Sequence, residues 1–275
     1  MPRAQLVYIT GDLHGDWDTF NPYLNTRIRQ SRRIRKLARE FDPLEIIILQ
    51  AGDFGYWPHK HKHSSFSRSL RSLWRQDGVK NAIPDITDGR IKMYWCDGNH
   101  ENHDVLDALE KESGTKNPEE RFIEILPGVF YAPFGSVLQL LDGTTVLFCG
   151  GAESTDKELR VPGDTWWPQE VIDEKDMAAL PAPEILAVDW VISHTCPGYF
   201  AASTVHGNPA KNSDPSKAFL DRVFDMYRPK RWWFGHYHDH QQGAYEGCVW
   251  TMLDRCGNPK GGRWIEEVLF HTLRT

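Results

Sequence analysis

Short apolar runs in this chain break off at blocks of glycine, carboxylate, amide and imidazole, and that recurrence narrows the possible folds more than any other feature. Leu6 to Thr10 gives way to Gly11-Asp12-Leu13-His14-Gly15, and Glu45 to Gln50 is followed by Gly52-Asp53. Ile91 to Cys96 leads to Gly98-Asn99-His100-Glu101, Ala187 to Ser193 leads to His194, and Arg231 to Phe234 leads to Gly235-His236-Tyr237-His238. Apolar runs of this length, bounded by turn residues, read as buried strands. An α/β sheet gathers loops from distant sequence positions along the carboxyl edge of its strands, so the blocks are expected to converge. Residues two apart in an extended segment point to the same side, which lets His236 and His238 face one centre.

The segments between these runs fill in the architecture. Leu24, Ile28, Leu37, Ala38 and Phe41 recur near helical spacing between Asp18 and Phe41, which gives a β-α-β pattern with the flanking strands. From Arg121 to Gly151, strand-like runs are split by Pro127, Pro133-Phe134-Gly135 and the hairpin-like pair Asp142-Gly143. Strand-like runs recur at Ala244 to Tyr245, Val249 to Leu253 and Arg263 to Leu269. The expectation is an α/β protein with two sheets flanked by helices, residues 1–275 forming one domain, since no repeat or long linker divides it. The loops Ser154 to Pro168 and Gly198 to Asp214 lack periodicity and are long enough to carry function.

Charge and cysteine content then exclude whole classes. A net charge of -6 argues against chain-wide attraction to nucleic acid or an anionic membrane, leaving only a local basic face for such contacts. Five scattered cysteines without a C-x-x-C pair fit reduced thiols rather than a disulfide or zinc-ribbon framework. No signal peptide is evident and no apolar stretch approaches the roughly 18 residues of a membrane span. The chain reads as cytoplasmic, with no membrane association and no obligate protein partner.

Taken together, the ordered blocks GD-x-H, GD, GNHE, SH and GH-x-H resemble the signature of the calcineurin-like metallophosphoesterase superfamily, matching at Asp12, His14, Asp53, Asn99, His100, His194, His236 and His238. The resemblance implies an α/β/β/α sandwich and two divalent ions. Asp12, His14 and His238 would hold one, Asn99, His194 and His236 the other, and Asp53 would bridge them. A mixed oxygen and nitrogen shell without thiolate suits manganese first, with iron, zinc or nickel as further candidates. Such a pair polarises phosphate and makes a water or hydroxide nucleophilic near neutral pH, which implies hydrolysis of phosphate mono- or diesters. His100, left unligated, is assigned as the general acid that protonates the leaving oxygen, with Asp97 or Glu101 as candidates to orient it.

Departures from the pattern bear on the substrate. GDLHG and GNHE look like the phosphoprotein-phosphatase branch, but the arginines that branch places after GD and before GNHE are absent, which argues against protein dephosphorylation. Arg160 is the alternative cation for a substrate phosphate, and Trp166 and Trp167 are candidates to stack a base or cover an apolar leaving group, or else to pack the loop. His59, His61 and His63 alternate with lysines and read as a solvated or phosphate-attracting loop rather than a third metal site. Arg27, Arg29, Arg32, Arg33, Arg35, Lys36 and Arg39 make the single helix predicted here strongly basic, as a solvated face or as a contact for nucleic acid or an acidic partner. The expected partner is a phosphate ester, a nucleotide or nucleic acid among the options. The competing readings are a phosphoprotein phosphatase and a non-catalytic binding module on the same fold.

Overall fold

The structure, a computed structural model, describes residues 3–28, 31–57, 90–204 and 214–273. Its elements divide into two six-stranded mixed sheets. The first contains β1 (Arg3–Thr10), β2 (Leu44–Gln50), β3 (Ile91–Trp95), β4 (Ile123–Leu126), β5 (Val129–Tyr131) and β12 (Ile265–Leu273), in the order β12-β1-β2-β3-β5-β4. The second contains β6 (Val137–Gln139), β7 (Thr145–Cys149), β8 (Trp190–Ser193), β9 (Arg231–Phe234), β10 (Gln241–Tyr245) and β11 (Cys248–Met252), in the order β10-β11-β9-β8-β7-β6. In each sheet four central strands are parallel and the two edge strands antiparallel.

Strand alternation sorts the side chains into layers. Val7, Ile9, Ile47, Leu49, Val146, Phe148, Ile192 and Trp233 fill the space between the sheets. Their neighbours Leu6, Tyr8, Ile46, Ile48 and Trp95 point the other way, toward helices α1 (Trp17–Ile28), α2 (Arg32–Glu40) and α3 (His103–Ser113). Leu147, Cys149, Val191, Trp232 and Phe234 do the same on the far side, beneath α5 (Gly198–Ala201) and α6 (Ser216–Tyr227). The one-turn helix α4 (Glu174–Met177) opens on a capping box at Asp173. Because central strands bury both faces, they read as unbroken apolar runs. The result is the expected two-sheet sandwich flanked by helices.

The helical region differs from its expected form. Residues 18 to 41 make two helices, with Ser31 accepting from the Ile34 backbone N–H to cap the second. The basic residues are thereby divided: Arg27 belongs to α1, Arg29 lies outside the described residues, and Arg32, Arg33, Arg35, Lys36 and Arg39 are exposed on α2. Ile34 and Ala38 are the face α2 buries, Arg33 pairs with Glu267, and Lys36 reaches Glu40. His59, His61 and His63 lie outside the described residues.

Candidate metal centre

Topology brings the polar blocks to one edge of the sandwich. The parallel strands β1, β2, β3, β8 and β9 end at Thr10, Gln50, Trp95, Ser193 and Phe234, immediately ahead of the blocks that follow them. Asp12, His14, Asp53 and His238 each present one ligand atom, and these atoms all lie within 4.8 Å of one another. His238 Nε2 is 3.1 Å from Asp12 Oδ2, and His14 Nε2 is 3.5 Å from Asp53 Oδ2 and 2.8 Å from His238 Nε2.

A second set adjoins the first through Asp53. Its Oδ1 lies 3.2 Å from His194 Nε2 and accepts the His100 backbone N–H at 2.9 Å. Asn99 Oδ1 stands 3.0 Å from His194 Nε2 and 3.1 Å from His236 Nδ1. The structure therefore brings all seven residues expected as ligands together, in two groups with Asp53 between them.

The backbone is bent to achieve this. His14, Asp53, His236 and His238 have φ of 47°, 52°, 67° and 50°, the left-handed region that non-glycine residues rarely occupy. The glycines of the blocks have a further task, close approach. A Cβ on Gly235 would sit 1.9 Å from Asp12 Oδ1, and one on Gly98 would sit 2.3 Å from Asp53 Oδ1. Removing those side chains lets the β9 and β3 exits close over the carboxylates.

The electrostatics call for cations. Asp12 and Asp53 are buried, and among the described residues their ion-pair partners are all histidines. Burial pushes Asp53 up, but His194, His100 and His14 outweigh it and hold the carboxyl well below its ordinary range. Burial likewise opposes charge on His194, yet Asp53 and Asp12 prevail and push it up to about 10. His236, buried beside His194, falls to about 3. Two buried carboxylates among imidazoles and an amide oxygen are a donor set that fits divalent cations.

Comparison with known proteins assigns the chain to a family. Residues 6–240 match the calcineurin-like phosphoesterase family. The chain belongs to that family. Among solved structures it is similar to a phosphopantetheinyl hydrolase from Mycobacterium tuberculosis, at 17% identity and a TM-score of 0.53 over 98% of this chain and 97% of that one. It is also similar to a dimetal phosphatase from Danio rerio, at 13% identity and a TM-score of 0.44 over 99% of each chain. No curated protein matched it in sequence.

The residues around the centre follow the sequence expectations only in part. His100 stands edge-on to His14 with ring centroids 4.8 Å apart. Arg160 reaches it from the loop after β7: one guanidinium nitrogen is 2.9 Å from His100 Nε2, the other donates to the Asn99 carbonyl at 3.1 Å, and Asp156 anchors the group at 2.7 Å. Neither Asp97 nor Glu101 orients His100. Glu101, pushed up to about 8 by burial and by Asp53, accepts from the Gly55 and Gly98 backbone, while Asp97 accepts from Tyr131.

The two tryptophans are placed differently from each other. Trp167 is 3% exposed, packs against Trp57 at 5.2 Å and donates to Asp104 at 2.8 Å, so its ring docks the loop onto the segment after β2 and onto α3. Trp166 is half-buried and donates to Glu170 at 2.9 Å. Three residues near the site lie outside the expected site residues: Trp57, which donates to the His100 carbonyl, and the buried pair Ser154 and Glu170. Gly150-Gly151 following a buried strand was the available clue to Ser154, since the same grammar marks the ligand blocks.

Proposed function

We propose that the chain hydrolyses phosphate esters at a centre of two divalent ions, with Asp12, His14 and His238 holding one, Asn99, His194 and His236 the other, and Asp53 shared. The observation that carries this reading is the position of Asp53, buried, with one carboxylate oxygen facing His14 and the other facing His194. When bound, such ions supply positive charge for the phosphoryl oxygens and make a water acidic enough to attack near neutral pH. Manganese is the proposed metal. Five buried, unpaired cysteines are compatible with the cytoplasm as the compartment.

Arg160 and His100 divide the work on the substrate. The guanidinium donates to His100 Nε2, so that nitrogen carries no proton while the contact is made. An arriving phosphate offers Arg160 better acceptors and draws it off the imidazole. Burial lowers the basicity of His100, and the added negative charge of phosphate raises it again, favouring a proton on Nε2. From Nε2 the proton passes to the leaving oxygen in this reading, which makes His100 the general acid.

The test is manganese-supplemented hydrolysis of p-nitrophenyl mono- and diesters by the native protein, Asp53→Asn and His100→Ala. Metal-dependent turnover that disappears in Asp53→Asn supports the reading, and the preferred ester identifies the substrate class. Absence of turnover with a broad panel of phosphate esters, in protein that has taken up metal, would overturn it.

A further inference from the structure

The loop after β7 also contacts the centre through Ser154 and Glu170. Glu170 is completely buried, and its Oε1 accepts from the Ser154 backbone N–H at 2.5 Å and from Trp166 Nε1 at 2.9 Å. Its Oε2 lies 2.8 Å from the Ser154 hydroxyl, and that hydroxyl is 3.0 Å from Asn99 Nδ2. The chain of contacts thus runs from a buried carboxylate through one hydroxyl to the amide whose oxygen faces His194 and His236.

Donor and acceptor bookkeeping gives this chain a direction. A carboxylate is acceptor only, so the single Ser154 proton goes to Glu170. The hydroxyl then has only lone pairs to offer Asn99, and the amide must present its NH2 there. Its carbonyl oxygen is left pointing at His194 and His236, the side where an ion is proposed. The reversed amide would set two N–H groups against a cation and put its oxygen opposite lone pairs, unfavourable at both ends.

We infer that Glu170 and Ser154 form a polarity relay that fixes the Asn99 amide with its oxygen toward the second metal position. This rests on the dinuclear reading above and adds two positioning residues to it. Glu170→Gln is the informative variant because it keeps shape and inverts polarity. With its Oε1 still accepting from Ser154 and Trp166, the new amide N–H is directed at the Ser154 hydroxyl. The serine proton is then free to turn toward Asn99, which stabilises the reversed amide.

The experiment is Mn2+ titration of metal-free protein by calorimetry, with electron paramagnetic resonance to distinguish a coupled manganese pair from isolated ions. Native protein is expected to take up two ions. Glu170→Gln and Ser154→Ala are expected to keep the affinity of the first and weaken the second about 10- to 100-fold, the range typical for groups that orient a metal ligand. The coupled signal then gives way to that of isolated Mn2+ at limiting metal. Unchanged second-site affinity in both variants overturns the relay, as does equal weakening at both sites, which indicates general damage. Native protein that takes up fewer than two ions overturns the dinuclear reading, and the relay with it.

Discussion

If His100 protonates the leaving group, its loss must scale with how much that group needs a proton. His100→Gln isolates this role, because the contact His100 makes with Asp53 is through its backbone N–H, at 2.9 Å, and survives the exchange. The side chain touches His14 edge-on and accepts from Arg160, so neither carboxylate loses a hydrogen bond. General acid catalysis contributes about 10²- to 10⁴-fold, equivalent to about 2.7–5.4 kcal/mol of barrier. An alkyl phosphate, whose alkoxide leaves poorly, is expected to show that full loss in kcat. A p-nitrophenyl ester, whose phenolate leaves without a proton, is expected to lose far less. Phosphate release from glycerol phosphate, measured beside p-nitrophenol release on the same metal-loaded preparations, compares the two. Equal losses on both substrates would place His100 in binding rather than proton transfer.

Three further outcomes follow from particular contacts. Arg160→Ala removes the charge-assisted hydrogen bond proposed for the substrate phosphate, worth about 1.5–3 kcal/mol, so KM should rise about 10- to 150-fold with a smaller change in kcat, read from initial rates. Gly235→Ala places a Cβ against Asp12 Oδ1, so manganese uptake should be lost and stability should fall by about 1–3 kcal/mol, checked by calorimetry and thermal melts. In metal-free protein, His194 has a folded pKa of about 10 against 6.5 unfolded. Its stabilisation is fully present below pH 6.5 and is lost as pH rises through about 10, because the folded state holds the extra proton. Melting temperatures of chelator-treated protein across that window should fall more steeply for the native chain than for His194→Gln, and parallel curves would contradict the assignment.

How much of this was legible in the sequence depended on whether the determining interaction was local. The strands β1, β2, β3, β8 and β9 stand out because both their faces are buried and the apolar run is unbroken. Their ligand blocks are equally visible, since chain exit, glycine and ligand are consecutive. The break at Ser31 was hidden because apolar spacing continues on both sides of it, and only the serine cap marks the second helix. The approach of Arg160 to His100 spans 60 residues and depends on how the loop after β7 folds back, which no periodicity encodes. Glu170 is less legible still: a carboxylate followed by an apolar run reads as a surface residue, and only the loop's return onto Ser154 buries it.

Why the centre is built from such costly parts follows from what it must bind. Residues in the left-handed region cost about 1–3 kcal/mol each, and His14, Asp53, His236 and His238 all occupy it. Asp12 and Asp53 add the cost of buried carboxylates, which the neighbouring His194 offsets in part in the metal-free protein. Some of the strain is tempered by residue type, since aspartate and histidine tolerate this conformation better than branched side chains do. The rest is carried by the sandwich: the strands that deliver these residues are anchored by interlocked aromatic and aliphatic cores, which do not relax to suit the loops. A scaffold that holds ligands in place before the ion arrives leaves less reorganisation to be met on binding, so more of the ion's interaction energy appears as affinity.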